Sequence, residues 1–428
     1  MKRWVLEHFG CVRPFRFERM LVLVTAIVLA VVVLGVAAAL IARTGFEMGA
    51  PRGLSWGTPR SWYFVYLIGL IVAALVLARW TVGATVLLSL AAVEIGLGFG
   101  SALLYRIGLT PSPTLFPNNY ERPIYGWHPL LQVRPEPTPE DERKKFSVFI
   151  NSQHQRGREW TKAELEKKRV VALFGGSTTL DFSVPDGESW GDRLEQALGP
   201  NRYAVVNHGV AGYTTAEHLI QTAFYPDTFG VMPHCAVYYV GWNDLSLSHD
   251  ELLDGGFTNH MSNQIDAFMG RRLDVPSLSI SPLLKLLSRF VQVAFDTVRS
   301  APLSGRRSSQ PDPRLEALFL RNVDSISAIN RQRGIKTLWV GQVMNVDHLA
   351  AALEEWSPFI PDEATWPLIR RLNGQLKREA GLLGDVYVDI PVGEFKPSDF
   401  IDEGHFSPAG SAKFASLLAP SVAAACDK

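Results

Sequence analysis

Between Met20 and Ala42 the chain carries no charged residue, and an apolar run of that length is enough to cross roughly 30 Å of hydrocarbon as a helix. A cleaved signal peptide is the competing reading. The run is longer than an ordinary signal core and no small-residue cleavage site precedes a mature start, so a retained anchor is expected. Two further apolar runs, 62–78 and 81–105, are separated by Arg79 and Trp80. Together they exceed one span, and a helical hairpin with a tight turn fits them. A membrane portion of three spans over 20–105 is therefore expected. Glu94 inside the third run is unfavourable in lipid unless it faces the bundle or another polar group, and functional and structural roles both stay open for it.

Lys2, Arg3, Arg13, Arg16 and Arg19 precede the first span, which argues for a cytoplasmic segment over 1–19. Three crossings then put residue 106 onward outside, although Arg43, Arg52 and Arg60 in the first external loop weaken the charge bias. Beyond the spans the chain reads as an ordinary soluble domain. Its 42 basic and 42 acidic residues cancel, so no net field favours nucleic acid, and none is expected as a partner. Three cysteines, Cys11, Cys235 and Cys426, are too few and too scattered for a disulfide framework or a zinc site. Cys235, in an apolar run, reads as a core residue.

Eight prolines between 106 and 150 mark an extended connector, taken as 106–167, leading away from the membrane. Its segment Tyr125–Pro129 reads as packed connector, with docking on the following domain as the alternative. From Lys168 apolar runs alternate with amphipathic stretches, the pattern of a parallel α/β sheet. The expected strands are 170–174, 203–207, 236–240, 336–340 and 385–390. The expected helices are 188–198, 215–224, 313–333, 364–380 and 408–425. The stretch 245–312 is too long for a simple loop and is expected to hold helices of its own. Leu283, Leu284, Leu286, Leu287, Phe290, Val291, Val293 and Phe295 make one such helix, expected to pack on the core of the domain, with a lid or a bilayer contact as alternatives.

Within 168–428 four short blocks carry chemistry. They are Gly175-Gly176-Ser177-Thr178, Asn207-His208-Gly209-Val210-Ala211-Gly212, Gly241-Trp242-Asn243-Asp244 and Asp402-Glu403-Gly404-His405. A serine hydroxyl is a weak nucleophile at neutral pH and needs an imidazole to take its proton and a carboxylate to fix the imidazole tautomer. Ser177, His405 and Asp402 supply these roles. Preorganised donors for a tetrahedral oxyanion are the Ser177 N–H, the Gly212 N–H and the Asn243 amide. Singly, each block has a plainer meaning: Ser177 a helix cap, Gly212 a tight turn, Asn243 an Asx turn. Ser177, Gly212 and Asn243 all follow expected strand ends, where open α/β sheets hold ligands. His208, His218, His234, His249 and His260 lack metal-ligand spacing, and only His208, in the turn of Gly212, is a candidate for touching substrate.

The ordered set over roughly 168–420 resembles the SGNH branch of the GDSL hydrolases, in which Ser, Gly, Asn and His head four successive blocks. It departs at Gly176, where the commonest first block has Asp, and is similar there to membrane-linked members with a GGST-like block. The resemblance implies a flavodoxin-like three-layer α/β/α domain with a parallel sheet. It also implies a membrane-anchored serine esterase that removes ester-linked acyl groups, acetyl foremost, from an envelope glycan or lipid, without metal or cofactor. An O-acyltransferase that moves an acyl group to or from such a glycan shares the first half-reaction, and a non-catalytic binding module of the same fold is the further alternative.

Overall fold

The computed structural model of the chain describes residues 14–427 apart from 44–45, 48–49, 52, 108, 110–114, 118–124, 140–146, 252, 254–279, 300–304, 352–356 and 358. Lys2, Arg3, Cys11, Arg13 and His260 lie outside the described residues, as does much of the 245–312 stretch. The chain divides into two compact units. The first holds α1 (Pro14–Ile41), α2 (Pro59–Val76) and α3 (Thr81–Arg106).

All three helices are long and apolar enough to cross a membrane. Thr58 caps α2 by accepting the Ser61 N–H, and Pro59 occupies the first helical position, where its missing N–H is no loss. Small side chains line the contact between helices: Ala26, Ala74, Ala84 and Ala91 are buried and let the backbones approach. Large apolar side chains such as Leu21, Val31 and Val86 point outward instead, the reverse of a soluble bundle. Glu94 is buried on α3, where its carboxylate accepts the Tyr66 hydroxyl at 3.2 Å and its carbonyl accepts the Tyr63 hydroxyl at 2.7 Å. It faces other polar groups inside the unit, the arrangement its position requires.

The second unit is built on five parallel strands, β1 (Arg169–Gly175), β2 (Tyr203–Asn207), β3 (Cys235–Tyr239), β4 (Lys336–Val340) and β5 (Val386–Val388), in the order β2-β1-β3-β4-β5. Between and after them come α4 (Trp190–Leu198), α5 (Thr215–Phe224), α6 (Pro282–Arg299), α7 (Pro313–Gln332), α8 (Asp362–Leu383) and α9 (Pro408–Cys426), of which α6 belongs to the first unit. Alternation along β1 feeds two cores. Val171 and Leu173 pack with Trp190, Leu194, Phe414 and Leu418 from α4 and α9. Ala172 and Phe174 pack with Phe319, Val323, Leu368 and Leu372 from α7 and α8. This is the three-layer α/β/α arrangement, with strands buried on both faces, which is why they read as continuous apolar runs. The connector segment Tyr125–His128 pairs antiparallel with Gln132–Pro135, and Leu131 at the hairpin packs on Val210 and Tyr213 of this same unit.

Two features depart from the sequence expectations. Helix α6 falls with the membrane helices rather than on the core of the sheet. Cys235 is a core residue, yet it also forms a disulfide with Cys426 across 191 residues, joining the start of β3 to the end of α9 with Cα atoms 5.5 Å apart. Such a bond constrains the unfolded chain, and its removal by Cys426→Ser is expected to lower stability by about 2–4 kcal/mol, read as a shift in the denaturant midpoint. A midpoint that does not move would show that the bond constrains nothing.

Candidate active site

β1 runs out at Gly175, and Ser177 opens a single helical turn, Ser177–Leu180, in which the Thr179 and Leu180 N–H groups donate to the Gly176 carbonyl at 3.0 and 2.9 Å. As the first helical residue, Ser177 has an N–H with no partner within its own turn. There is no room for a side chain at Gly176: a Cβ there would fall on Asn243 Nδ2. The position that is Asp in the commonest first block is therefore held here by the amide of the third block.

The turn is pinned from below. Asp181 closes it in the left-handed region at φ 53° and is buried, accepting the Trp190 N–H at 3.0 Å and the Ser411 hydroxyl at 2.9 Å. Burial pushes its carboxyl above the usual range, against the pull of Arg156. Trp190 Nε1 donates to the Thr178 carbonyl at 2.9 Å. The buried Arg156 guanidinium donates to the carbonyls of Leu180 at 2.6 Å, Val184 at 2.5 Å and Asp181.

The second block is tied to the first through Asn207, whose amide donates to the Thr179 carbonyl at 2.7 Å, and through Val210 N–H to the Gly175 carbonyl at 3.0 Å. Gly212 then turns the chain at φ 82°, a conformation that side-chain-bearing residues rarely adopt. The next carbonyl, of Tyr213, accepts Asn243 Nδ2 at 2.8 Å. Asp244 completes the link between blocks: buried, it accepts the Thr215 N–H at 3.0 Å and the Thr215 hydroxyl at 2.5 Å at the start of α5. Burial pushes its carboxyl up to about 6.

The fourth block lies between β5 and α9. The Asp402 carboxylate accepts the backbone N–H of Gly404 at 2.9 Å and of His405 at 2.7 Å, and faces His405 Nδ1 at 2.8 and 3.0 Å. That bond gives Nδ1 the proton and leaves Nε2 as the basic nitrogen. Nε2 is buried and has no hydrogen-bond partner among the described residues. Burial alone would lower the His405 pKa, but the hydrogen bond and charge of Asp402 outweigh it and hold it above the ordinary histidine value. Burial would raise Asp402, and the His405 contacts and backbone donors hold it below the usual carboxylate range.

The blocks meet. A Cβ built on Gly404 would lie 3.6 Å from the Trp242 ring and 3.7 Å from Thr178 Cγ2, so the fourth block touches the third and the first. Ser177, Thr178, Tyr213, Trp242 and Asn243 line one small pocket, and Gly212 adjoins it through Tyr213. His208 does not line it: the ring stacks on Phe174 with centroids 4.9 Å apart, and burial lowers its pKa to about 4. Residues that the sequence did not single out are Arg156, Asp181 and Gln342. Gln342 lines the same pocket, buried, with Oε1 taking no partner among the described residues. Only the position of Gln342 just past an expected strand end could have drawn attention to it. Among the described residues no group of three or more His, Cys, Asp or Glu side chains is placed as metal ligands.

The strand order with β1 second, and the Ser177, Gly212, Asn243 and His405 blocks following β1, β2, β3 and β5, decide the architecture. The second unit is a three-layer α/β/α domain on a five-stranded parallel sheet, the architecture expected from the sequence. No protein-family model matches the chain, and no curated protein does. Among solved structures, the chain is similar to a GDSL-like lipase from Bacteroides thetaiotaomicron VPI-5482, at 13% identity over 62% of this chain and 91% of that one, TM-score 0.34. It is similar to TesA at 15% identity over 59% and 97%, TM-score 0.33. It is also similar to the acetyl xylan esterase AlAXEase at 12% identity over 59% and 99%, TM-score 0.34. The chemistry of this unit rests on its own residues.

Proposed function

We propose that the chain is a membrane-anchored serine esterase that cleaves short acyl esters through Ser177, His405 and Asp402. The observation that carries this reading is His405, half-buried and held by Asp402 through Nδ1 with its buried Nε2 unpartnered among the described residues, in a block that touches the Ser177 turn. In the reaction, Ser177 Oγ bonds to the ester carbonyl carbon while its proton passes to His405 Nε2. The carbonyl oxygen becomes the oxyanion, met by the N–H groups of Ser177 and Gly212 and by the Asn243 amide. As the tetrahedral species collapses, the C–O bond to the leaving alcohol breaks and the alcohol takes the proton from His405. Water then attacks the acyl-enzyme, giving its proton to His405, and the acid is released with Ser177 restored. The small pocket beside Ser177 supports an acyl group as short as acetyl, and the membrane spans support an envelope glycan or lipid as its carrier. The test is turnover of p-nitrophenyl acetate against longer-chain esters by the full chain in detergent. Absence of any esterase activity in folded protein would contradict the reading.

Asn243→Ala is expected to lower kcat by roughly 10²–10³, about 3–4 kcal/mol of transition-state stabilisation, with a much smaller change in KM. A rise in KM alone would make Asn243 a ground-state contact. The same reading places the SGNH unit outside the cytoplasm. The basic N-terminal residues and three spans support that orientation, and so does the Cys235–Cys426 disulfide, since such bonds persist in oxidising compartments. Protease added to spheroplasts should digest the unit, and the unfolded, unreduced chain should expose one thiol, Cys11, because two of its three cysteines are paired. Protection until the membrane is opened, or three reactive thiols, would invert the topology.

A further inference from the structure

Glu94 and α6 share a contact that neither the spans nor the esterase chemistry uses. The Glu94 carboxylate accepts the Ser281 hydroxyl and the Leu283 N–H at 3.2 Å, so a buried acid of α3 binds the start of α6 from 187 residues away. Pro282 sits beside it: a Cβ at Gly98, one turn along α3, would lie 3.2 Å from Pro282 Cγ. Ile280 joins the apolar cluster of the three spans. The depth of this joint follows from Tyr63, in the second turn of α2, whose hydroxyl reaches the Glu94 carbonyl. The joint therefore lies toward the side of the α2–α3 hairpin away from its Arg79-Trp80 turn, near the start of α2 and ten residues before the α3 span ends at Leu104.

From that level α6 carries an apolar face that no described residue covers. Leu284, Leu287 and Val291 recur at helical spacing, with Phe290 beside them, and all are exposed, Phe290 by 66%. Leu103 and Leu104, at the outer end of α3, are exposed as well, so the uncovered apolar surface at this end of the bundle extends from the spans onto α6. Lys285 and Ser288 fall between the apolar positions. A helix with this division, tied to a spanning bundle near the start of α2, matches a helix lying along a membrane surface.

We propose that α6 is an interfacial helix whose Leu284, Leu287, Phe290 and Val291 enter the boundary between headgroups and acyl chains, with Glu94 as the tether that sets its depth. The chain then meets the bilayer a second time within the stretch that follows the Asn243 block. The occupant of the apolar face is lipid rather than protein, because that face continues a surface already turned to lipid.

The test is site-directed spin labelling of the full chain in phosphatidylcholine vesicles on a Cys11→Ser background, with Leu287→Cys and Phe290→Cys labelled separately so that one poorly folding variant does not decide the outcome. Collisions with oxygen should dominate over those with a water-soluble nickel chelate at both positions, and the reverse should hold at Lys285→Cys. Dominance of the nickel chelate at positions 287 and 290 would place the face in water and overturn the proposal, and shielding from both reagents would show a protein partner and overturn it too. Glu94→Ala should mobilise a label at Leu284→Cys, whereas Glu94→Gln should largely retain its spectrum. An Ala variant with an unchanged spectrum would remove the tether from the account.

Discussion

Ser177→Ala is expected to reduce ester turnover by a factor on the order of 10⁴ or more, the scale seen when a serine nucleophile acting with its base is removed. The substitution deletes one oxygen and fills no space. The turn that carries it is held by bonds that Ala keeps: the Thr179 and Leu180 N–H groups on Gly176, Arg156 on Leu180 and Val184, and Trp190 on Thr178. The thermal transition should therefore stay where it is while kcat collapses. Steady-state kinetics with p-nitrophenyl acetate beside a melting curve make the comparison. Near-normal turnover by a folded Ala variant would take the nucleophile away from Ser177.

Asp402→Asn should cost about as much, roughly 10⁴ in kcat, because an amide can turn its NH₂ toward His405 and favour the tautomer with the proton on Nε2, where the base must be empty. Its pH signature separates it from simple loss of fold. Catalysis needs neutral His405, and Asp402 holds the imidazolium form above the ordinary value of about 6.5. In the wild type kcat/KM should thus fall as pH falls through a midpoint above that value. Removing the carboxylate takes away the stabilisation of the charged ring, so the midpoint should move down in Asp402→Asn. A pH–rate profile with an unmoved acid limb would show that another group carries the base role.

The sheet was legible because β1 to β4 are buried on both faces, and such strands leave uninterrupted apolar runs that no amphipathic helix matches. Expected and observed strand ends differ by about a residue for β1 and β3. β5 is shorter than expected, Val386–Val388 against 385–390. Three of the four blocks were legible because each follows an expected strand end, and the fourth because Asp402 and His405 stand three residues apart after the other three. What joins them was not. Arg156 sits in a polar stretch that resembles surface, and only folding carries its guanidinium under the Ser177 turn. The amphipathic pattern of α6 was plain, but the pattern names a face and not what it meets, and its partner Glu94 is distant in sequence. Cys235 and Cys426 likewise look like two isolated core residues until α9 is laid along β3.

Covalent capture tests the central claim most directly. The full chain, quenched in acid during turnover of an acetyl ester and digested with protease, should yield one acetylated peptide, the one bearing Ser177, by mass spectrometry. The adduct should be missing from Ser177→Ala and should accumulate in His405→Ala given an activated ester, since water attack on the acyl-enzyme needs the same base. An acetyl adduct on another residue, or turnover with no adduct under any quench, would contradict a Ser177 acyl-enzyme.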